Sequence, residues 1–274
     1  PGLSMNDNVL EQRRNNFLAA IHYGEKNCGV SFLDLSTGEF LVAEGTVEYM
    51  EKLIQGFQPS EIIYSKTERE RFEKAFANNY INFHLEDWIF SIEYGYEKLT
   101  RHFNTNNLKG YGVEEMKLGI IAAGAVLFYL EETEHRDVKH IGQLSRIDEQ
   151  QYVWLDKFTI RNLELVHPSQ SDGTALIDIM DSTQTPMGSR LLRKWMVLPL
   201  KNKEQIERRL ATVEAFMEDE ESLNEVNAYL KQIGDLERLI SKVATARINP
   251  RELGQLKKSL SQVKPIRDEL RKSD

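Results

Sequence analysis

The side chains that could do chemistry are few and widely spaced. Gly119 and Gly124 have the separation of the two glycines in a phosphate loop, where backbone amides cradle phosphates and a following lysine reaches the terminal oxygens. Ala125 and Val126 stand where that lysine and its hydroxyl neighbour belong. The pair is also embedded in an uninterrupted apolar run from Leu118 to Leu130, so a buried helix is the better reading. Gly110-Tyr111-Gly112 has no third glycine at the dinucleotide-binding offset and reads as a loop. His135 and His140 lie among Glu131, Glu132, Glu134 and Asp137, but five residues apart rather than the four that put two histidines on one helix face. A solvated charged face is expected there. His22, His84, His102 and His167 are isolated, and no Ser or Cys nucleophile can be paired with them.

Asp34 closes a predicted second strand, and a carboxylate on a central strand is what a two-metal nuclease site requires. The first predicted strand, Phe17 to Tyr23, carries no carboxylate, so the central ligand of such a site is missing. Asp34 before Ser36-Thr37-Gly38 then reads as a turn residue, with a metal-dependent nuclease kept as the alternative. Phe216-Met217-Glu218 has a Phe-x-Glu pattern that could wedge a ring beside a mispaired base, but it falls on a predicted amphipathic helix. Arg190, Arg193, Lys194, Lys201, Lys203, Arg208 and Arg209 form one basic stretch, and Lys257, Lys258, Arg267, Arg271 and Lys272 another. Acidic residues interleave and no aromatic ladder accompanies them, so solvated helix faces and ion pairs are expected before phosphate contacts.

The elements that must position these residues follow from composition and period. The chain has 274 residues, 41% hydrophobic and 28% charged, which suits two folded domains rather than one. One cysteine, Cys28, rules out an internal disulfide and a multi-cysteine zinc site, and a reducing, cytoplasmic compartment is expected. The longest apolar run is thirteen residues, short of the roughly 18 that cross a bilayer as a helix, so no membrane partner is expected. No signal peptide is recognisable at the N-terminus. Charge is unevenly divided: residues 1–149 hold 15 Lys+Arg against 24 Asp+Glu, whereas residues 150–274 hold 20 against 19. The acidic first half is poorly suited to a phosphate backbone.

Apolar runs at Phe17 to Tyr23, Gly29 to Leu35 and Glu39 to Ala43, separated by turn signals, predict three consecutive antiparallel strands. A helix over Thr46 to Gly56, a strand at Glu61 to Tyr64, a helix over Glu68 to Asn78 and a strand at Ile81 to Leu85 follow, making a mixed sheet with helices packed on it. A long helix is predicted over Glu114 to Glu132 and an extended segment over Gln151 to Val166. Everything after is helical. Thr185-Pro186, Asn202, Asp235 and Asn249-Pro250 are helix starts, Gly234 is a stop, and the apolar stripes between them fit a bundle. The last helix has no stop signal and the chain begins at Pro1-Gly2, which together predict a piece of a larger protein.

Several long, ordered motifs stand out in the sequence. Leu155-Asp156-Lys157-Phe158-Thr159-Ile160-Arg161-Asn162-Leu163-Glu164-Leu165 is one. Asp181-Ser182-Thr183-Gln184-Thr185-Pro186-Met187-Gly188-Ser189-Arg190-Leu191-Leu192-Arg193-Lys194-Trp195 followed by Pro199-Leu200 is another. Gly234-Asp235-Leu236-Glu237-Arg238 and Asn249-Pro250-Arg251-Glu252-Leu253 complete a set that resembles the core-domain signature of the bacterial MutS family of DNA mismatch-repair proteins, while Asn15 to Ile21 and Phe32 to Phe40 resemble the family's connector domain. Lys242 and Glu252 stand where the family more often has Arg and Asp.

The resemblance implies a linker at residues 1–14, a ribonuclease H-like α/β connector at 15–133 and an all-α core, or lever, domain at 134–274, truncated before the clamp. It implies a parent that encircles mismatched DNA as a homodimer, exchanges ADP for ATP and recruits MutL through the connector, in the cytoplasm at the nucleoid. ATP and magnesium would bind only an ATPase domain beyond Asp274, leaving this segment without cofactor, metal or turnover. Core and interdomain roles fall on Asp156, Arg161, Asn162, Glu164, Thr185, Met187, Gly188, Arg190, Arg193, Trp195, Pro199, Asp235, Arg238, Pro250 and Arg251. Among these, Gly188 is expected to admit another backbone, Met187, Leu191 and Trp195 to pack the bundle, and Arg190 with Arg193 to pair with carboxylates of another domain. Core surface that clamp-distal helices would cover in the parent is expected to be exposed.

Overall fold

The computed structural model describes residues 2–4, 10–76, 79–133, 138–153, 155–170 and 172–272. The chain resolves into two compact units, one of residues 1–11, 15–149 and 155–160, the other of residues 12–14, 150–154 and 161–274. The boundary therefore does not fall at 133/134. Residues 138–149 stay with the first unit because Ser145–Arg146 adds a strand to its sheet, and residues 12–14 of the expected linker belong with the helices.

In the sheet unit, β1 (Leu18–Tyr23), β2 (Asn27–Asp34) and β3 (Glu39–Thr46) form the antiparallel series. Thr46 then caps α1 (Val47–Phe57) by accepting from the Tyr49 amide. β4 (Glu61–Ser65) lies parallel to β1, and α2 (Arg69–Phe76) leads to β5 (Asn82–Leu85), parallel to β4. The predicted α2 limit at Asn78 lies outside the described residues. α3 (Ile92–Phe103) was not among the predicted elements, although Ile92, Tyr96, Leu99 and Phe103 recur at helical intervals behind the Ser91 cap. With β6 (Ser145–Arg146) the strand order is β5-β4-β1-β2-β3-β6, a ribonuclease H-like mixed sheet.

α4 (Lys117–Glu132) fills the core and is apolar nearly all round, burying every residue from Gly119 to Leu127. It begins three residues later than the period suggested, because the Glu114 carboxylate accepts from the Leu108 amide and the Tyr96 hydroxyl in the preceding turn. Its N-terminus has no capping side chain of its own; Glu44 on β3 accepts from the Leu118 and Gly119 amides at 2.8 and 3.1 Å.

The helical unit holds α6 (Leu176–Met180), α7 (Pro186–Val197), α8 (Lys203–Glu218), α9 (Glu220–Leu230), α10 (Leu236–Ala244) and α11 (Pro250–Leu270). The residue before it, Ile160, sits on a further helix, α5 (Lys157–Asn162), and this corrects the extended segment expected over Gln151 to Val166. Among the described residues of that stretch only Tyr152 keeps a strand-like bridge, to Leu200, with the Val153 amide donating to Pro199 O. The alternation of apolar residues there is too short to outweigh Asp156, whose carboxylate takes the Thr159 amide at 2.7 Å and starts a helical turn. Trp154, part of that expected alternation, lies outside the described residues. Thr185, Asn202, Asp235 and Asn249 all cap as their types dictate, and Asn249 with Glu252 closes a reciprocal capping box. α11 runs through Pro265 to Leu270.

Candidate functional site

The glycines that mimic a phosphate loop are packing glycines. A Cβ on Gly119 would meet Val42 Cγ2 at 2.8 Å, and one on Gly124 would meet the Gly95 Cα of α3 at 2.4 Å. Their spacing thus serves two close approaches, to the sheet and to a crossing helix. Asp34 is equally committed: Oδ1 accepts from the Ser36 amide at 2.9 Å and the Ser36 hydroxyl at 2.6 Å, and Oδ2 accepts from Asn15 Nδ2 at 2.9 Å and the Asn16 amide at 3.2 Å. With four donors on two oxygens, this buried carboxylate ties the β2 turn to the chain entering β1. The nuclease alternative finds no support in that geometry. Among the described residues, no three His, Cys, Asp or Glu side chains group closely enough to hold a metal ion. His140 Nε2 lies 2.8 Å from Leu35 O, while His135, with Glu134 and Asp137, lies outside the described residues. Burial pushes the Cys28 thiol up to about 11, so it is no nucleophile at neutral pH.

The polar cluster with most internal structure lies in the helical unit around Arg190. Helix α7 aims this side chain, 4% exposed, at the N-terminus of α10, where Nη1 and Nη2 reach the two Asp235 oxygens at 2.8 and 2.7 Å. Nη2 and Nε also reach Glu237 Oε2 at 2.6 and 3.2 Å. Asp235 meanwhile caps α10 by accepting from the Arg238 amide, and Arg238 Nε lies 3.7 Å from it. Burial works against the charge on Arg190, but hydrogen bonds and attraction from Asp235 and Glu237 outweigh it and raise its pKa. A planar fork facing two carboxylates fixes helix orientation as well as charge, which lysine could not do. Beside it, Asp181 accepts from the Thr183 amide and hydroxyl and from Ser189 Oγ.

Of the residues the sequence singled out, the structure brings Arg190, Asp235 and Arg238 together and leaves the rest apart. The carboxylate partners of Arg190 lie in its own unit, contrary to the interdomain expectation, and Arg193 reaches Asp178 at 3.4 Å and Val166 O at 3.4 Å, also locally. A Cβ added at Gly188 would meet Thr183 and Thr185 side-chain atoms at 3.2 to 3.6 Å rather than another backbone. Leu191 is exposed and Trp195 is 39% exposed, its ring covered by the Arg209 guanidinium at 3.5 Å, so neither packs a bundle core; Met187 is half-buried. Thr185 and Asp156 are caps, Pro250 opens α11, Arg251 and Arg161 are exposed, and Asn162 ends α5. Glu164, at φ 48°, accepts from the Ser169 amide. Lys242 and Glu252, the two family departures, bond to each other at 2.6 Å. Glu237, Asp181 and Ser189 were missed as site residues; each sits inside a quoted motif, but no local pattern tells that it faces Arg190 or its neighbours.

Apolar residues remain uncovered in both units. In the helical unit they include the α8 stripe Ile206, Leu210, Val213 and Met217, so the narrow stripe is not buried in a bundle here. Phe216 on the same helix is half-buried. In the sheet unit Phe83 and Trp88 are 50% and 58% exposed; Trp88 packs edge-on against Tyr94 and Phe128, and Phe83 lies against Tyr129.

A ribonuclease H-like mixed sheet whose acidic position is tied up in a turn, in one chain with a helical unit braced by buried ion pairs, defines a two-unit chain of α/β and all-α class. Comparison with known proteins narrows the class. Residues 16–142 match the family model of MutS domain II and residues 158–274 that of MutS domain III. The chain is 53% identical over its whole length to the DNA mismatch repair protein MutS of Cytophaga hutchinsonii, covering 32% of that protein. It is 51% identical to the MutS of Christiangramia forsetii and 52% to that of Flavobacterium psychrophilum, each over 98% of this chain and 31% of the relative. The chain belongs to the MutS family of DNA mismatch-repair proteins, and comprises its connector and core domains. It spans about a third of the length of the relatives it matches.

Proposed function

We propose that this connector-and-core segment couples a DNA-gripping clamp to an ATPase within a full-length, homodimeric mismatch sensor, and that its sheet unit offers a docking surface to MutL. ATP and magnesium belong to the ATPase domain of that parent, mismatched DNA to its clamp and mismatch-reading parts, and the protein works at the nucleoid. The segment itself turns nothing over. The observation that carries the docking role is the exposed aromatic surface of Phe83 and Trp88 on a unit whose stretch of sequence is strongly acidic. Aromatic side chains anchor protein interfaces, and acidic charge disfavours a phosphate backbone. The coupling role draws on the Arg190 cluster, which fixes α7 and α10 as one piece.

Titrating this chain with the N-terminal ATPase domain of MutL, beside a mismatched duplex at low and moderate salt, tests the assignment. Saturable MutL binding with negligible duplex binding is expected. Salt-sensitive duplex binding without MutL binding would overturn it and give the helical half a direct grip on DNA.

A further inference from the structure

Residues 12–14 form a turn in which the Gln12 and Arg13 side chains face solvent, yet these three residues cluster with the helices while their neighbours cluster with the sheet. Their main chain is what the helices hold. Arg190 Nη1 donates to the Gln12 carbonyl at 2.8 Å, and Arg238 Nη2 donates to the Arg14 carbonyl at 2.9 Å. Between them, Ser189 Oγ lies 3.4 Å from the Arg13 carbonyl, with its proton drawn chiefly to Asp181. One side chain is read as well: Arg13 pairs with Asp181 at 3.2 Å and donates to the Thr183 carbonyl at 3.2 Å.

We propose that Asp181, Ser189, Arg190 and Arg238 form a clasp for residues 12–14, closing on the segment that runs into β1 and opening to free it. The carbonyl contacts are indifferent to residue type at 12 and 14, so Arg13 on Asp181 sets the register. The clasp can open because its donors do not depend on the strap for charge balance. When the segment leaves, Arg190 keeps Asp235 and Glu237, and Arg238 keeps Asp235 at 3.7 Å. Opening therefore strands no buried cation; Asp181, 8% exposed, gives up Arg13 but keeps the Thr183 amide and hydroxyl and Ser189 Oγ as donors, and the charge-assisted bonds to two carbonyls are lost with it. This device stands independently of MutL docking.

Arg13 and Arg14 are themselves trypsin cleavage positions, which supplies a local readout on the folded chain. Brief trypsin treatment followed by mass spectrometry is expected to find them protected relative to the urea-unfolded chain. Arg238→Lys keeps a charge beside Asp235 but loses the reach to the Arg14 carbonyl, and should speed cleavage at 13 and 14 about tenfold while cleavage within α7 and α10 stays as in the parent. Asp181→Asn should speed it by a smaller factor. Unprotected cleavage at 13 and 14 in the parent chain would overturn the clasp. So would unchanged rates in both variants, or an increase spread evenly over all sites, which would assign these residues to general stability.

Discussion

Gly124→Ala and Gly254→Ala make the same change inside two helices and should have opposite effects. An alanine Cβ at 124 would stand 2.4 Å from the Gly95 Cα, against the 3.4 to 4 Å of ordinary contact, so α3 and α4 must separate by about 1 Å along their crossing. The obstructing atom is backbone, and no rotamer change can relieve it. Overpacking of this kind costs about 1–3 kcal/mol, and the upper part of that range applies where two main chains meet. Replacing a mid-helix glycine by alanine returns about 0.8–1 kcal/mol through helix propensity. The net expectation is a loss of about 2 kcal/mol for the sheet unit, or roughly 4–8 °C in its midpoint. At Gly254 on α11 an added Cβ meets nothing within 4 Å, so propensity acts alone and that variant should gain up to about 1 kcal/mol. Urea and thermal unfolding followed by circular dichroism, with hydrogen exchange on α3 and α4 peptides to assign the affected unit, measure both. A Gly124→Ala chain as stable as the parent, or a loss of equal size at Gly254, would refute the packing explanation of the Gly119/Gly124 spacing.

Arg190→Met should destabilise the helical unit by about 3 kcal/mol, the low end for a broken buried pair, because Asp235 retains the Arg238 amide and side chain; a change below about 1 kcal/mol in urea unfolding would show the cluster to be unimportant. His167 is pushed down to about 4 by burial, reinforced by the charges of Arg14 and Arg193, from an ordinary 6.5. The unfolded chain therefore takes up this proton first as pH falls, so stability is complete above pH 6.5 and is lost progressively down to about pH 4. Because the ring is partly exposed, roughly 2 kcal/mol is the expected loss rather than the full value of the shift. His167→Gln should flatten that part of the stability profile, measured by urea titrations at pH 4 to 7.

Local chemistry wrote much of this protein directly into its sequence. The three antiparallel strands, the apolar α4, and the caps at Thr185, Asn202, Asp235 and Asn249 each depend on residues within a few positions, and each appears where its residue types require it. The motifs around Pro186 and Asp235 likewise sufficed to place the chain in its family. Other features needed the tertiary structure, because they join residues far apart in the chain. No local pattern shows that Gly124 meets Gly95, that Glu44 caps α4, or that β6 extends the sheet beyond β3. Arg190 could be recognised as a pairing arginine from its type and motif, but which carboxylates it meets depends on how α7 and α10 pack. The contacts of Arg190 and Arg238 with residues 12–14 span 178 and 224 positions and target carbonyls, which carry no side-chain signature for sequence to display.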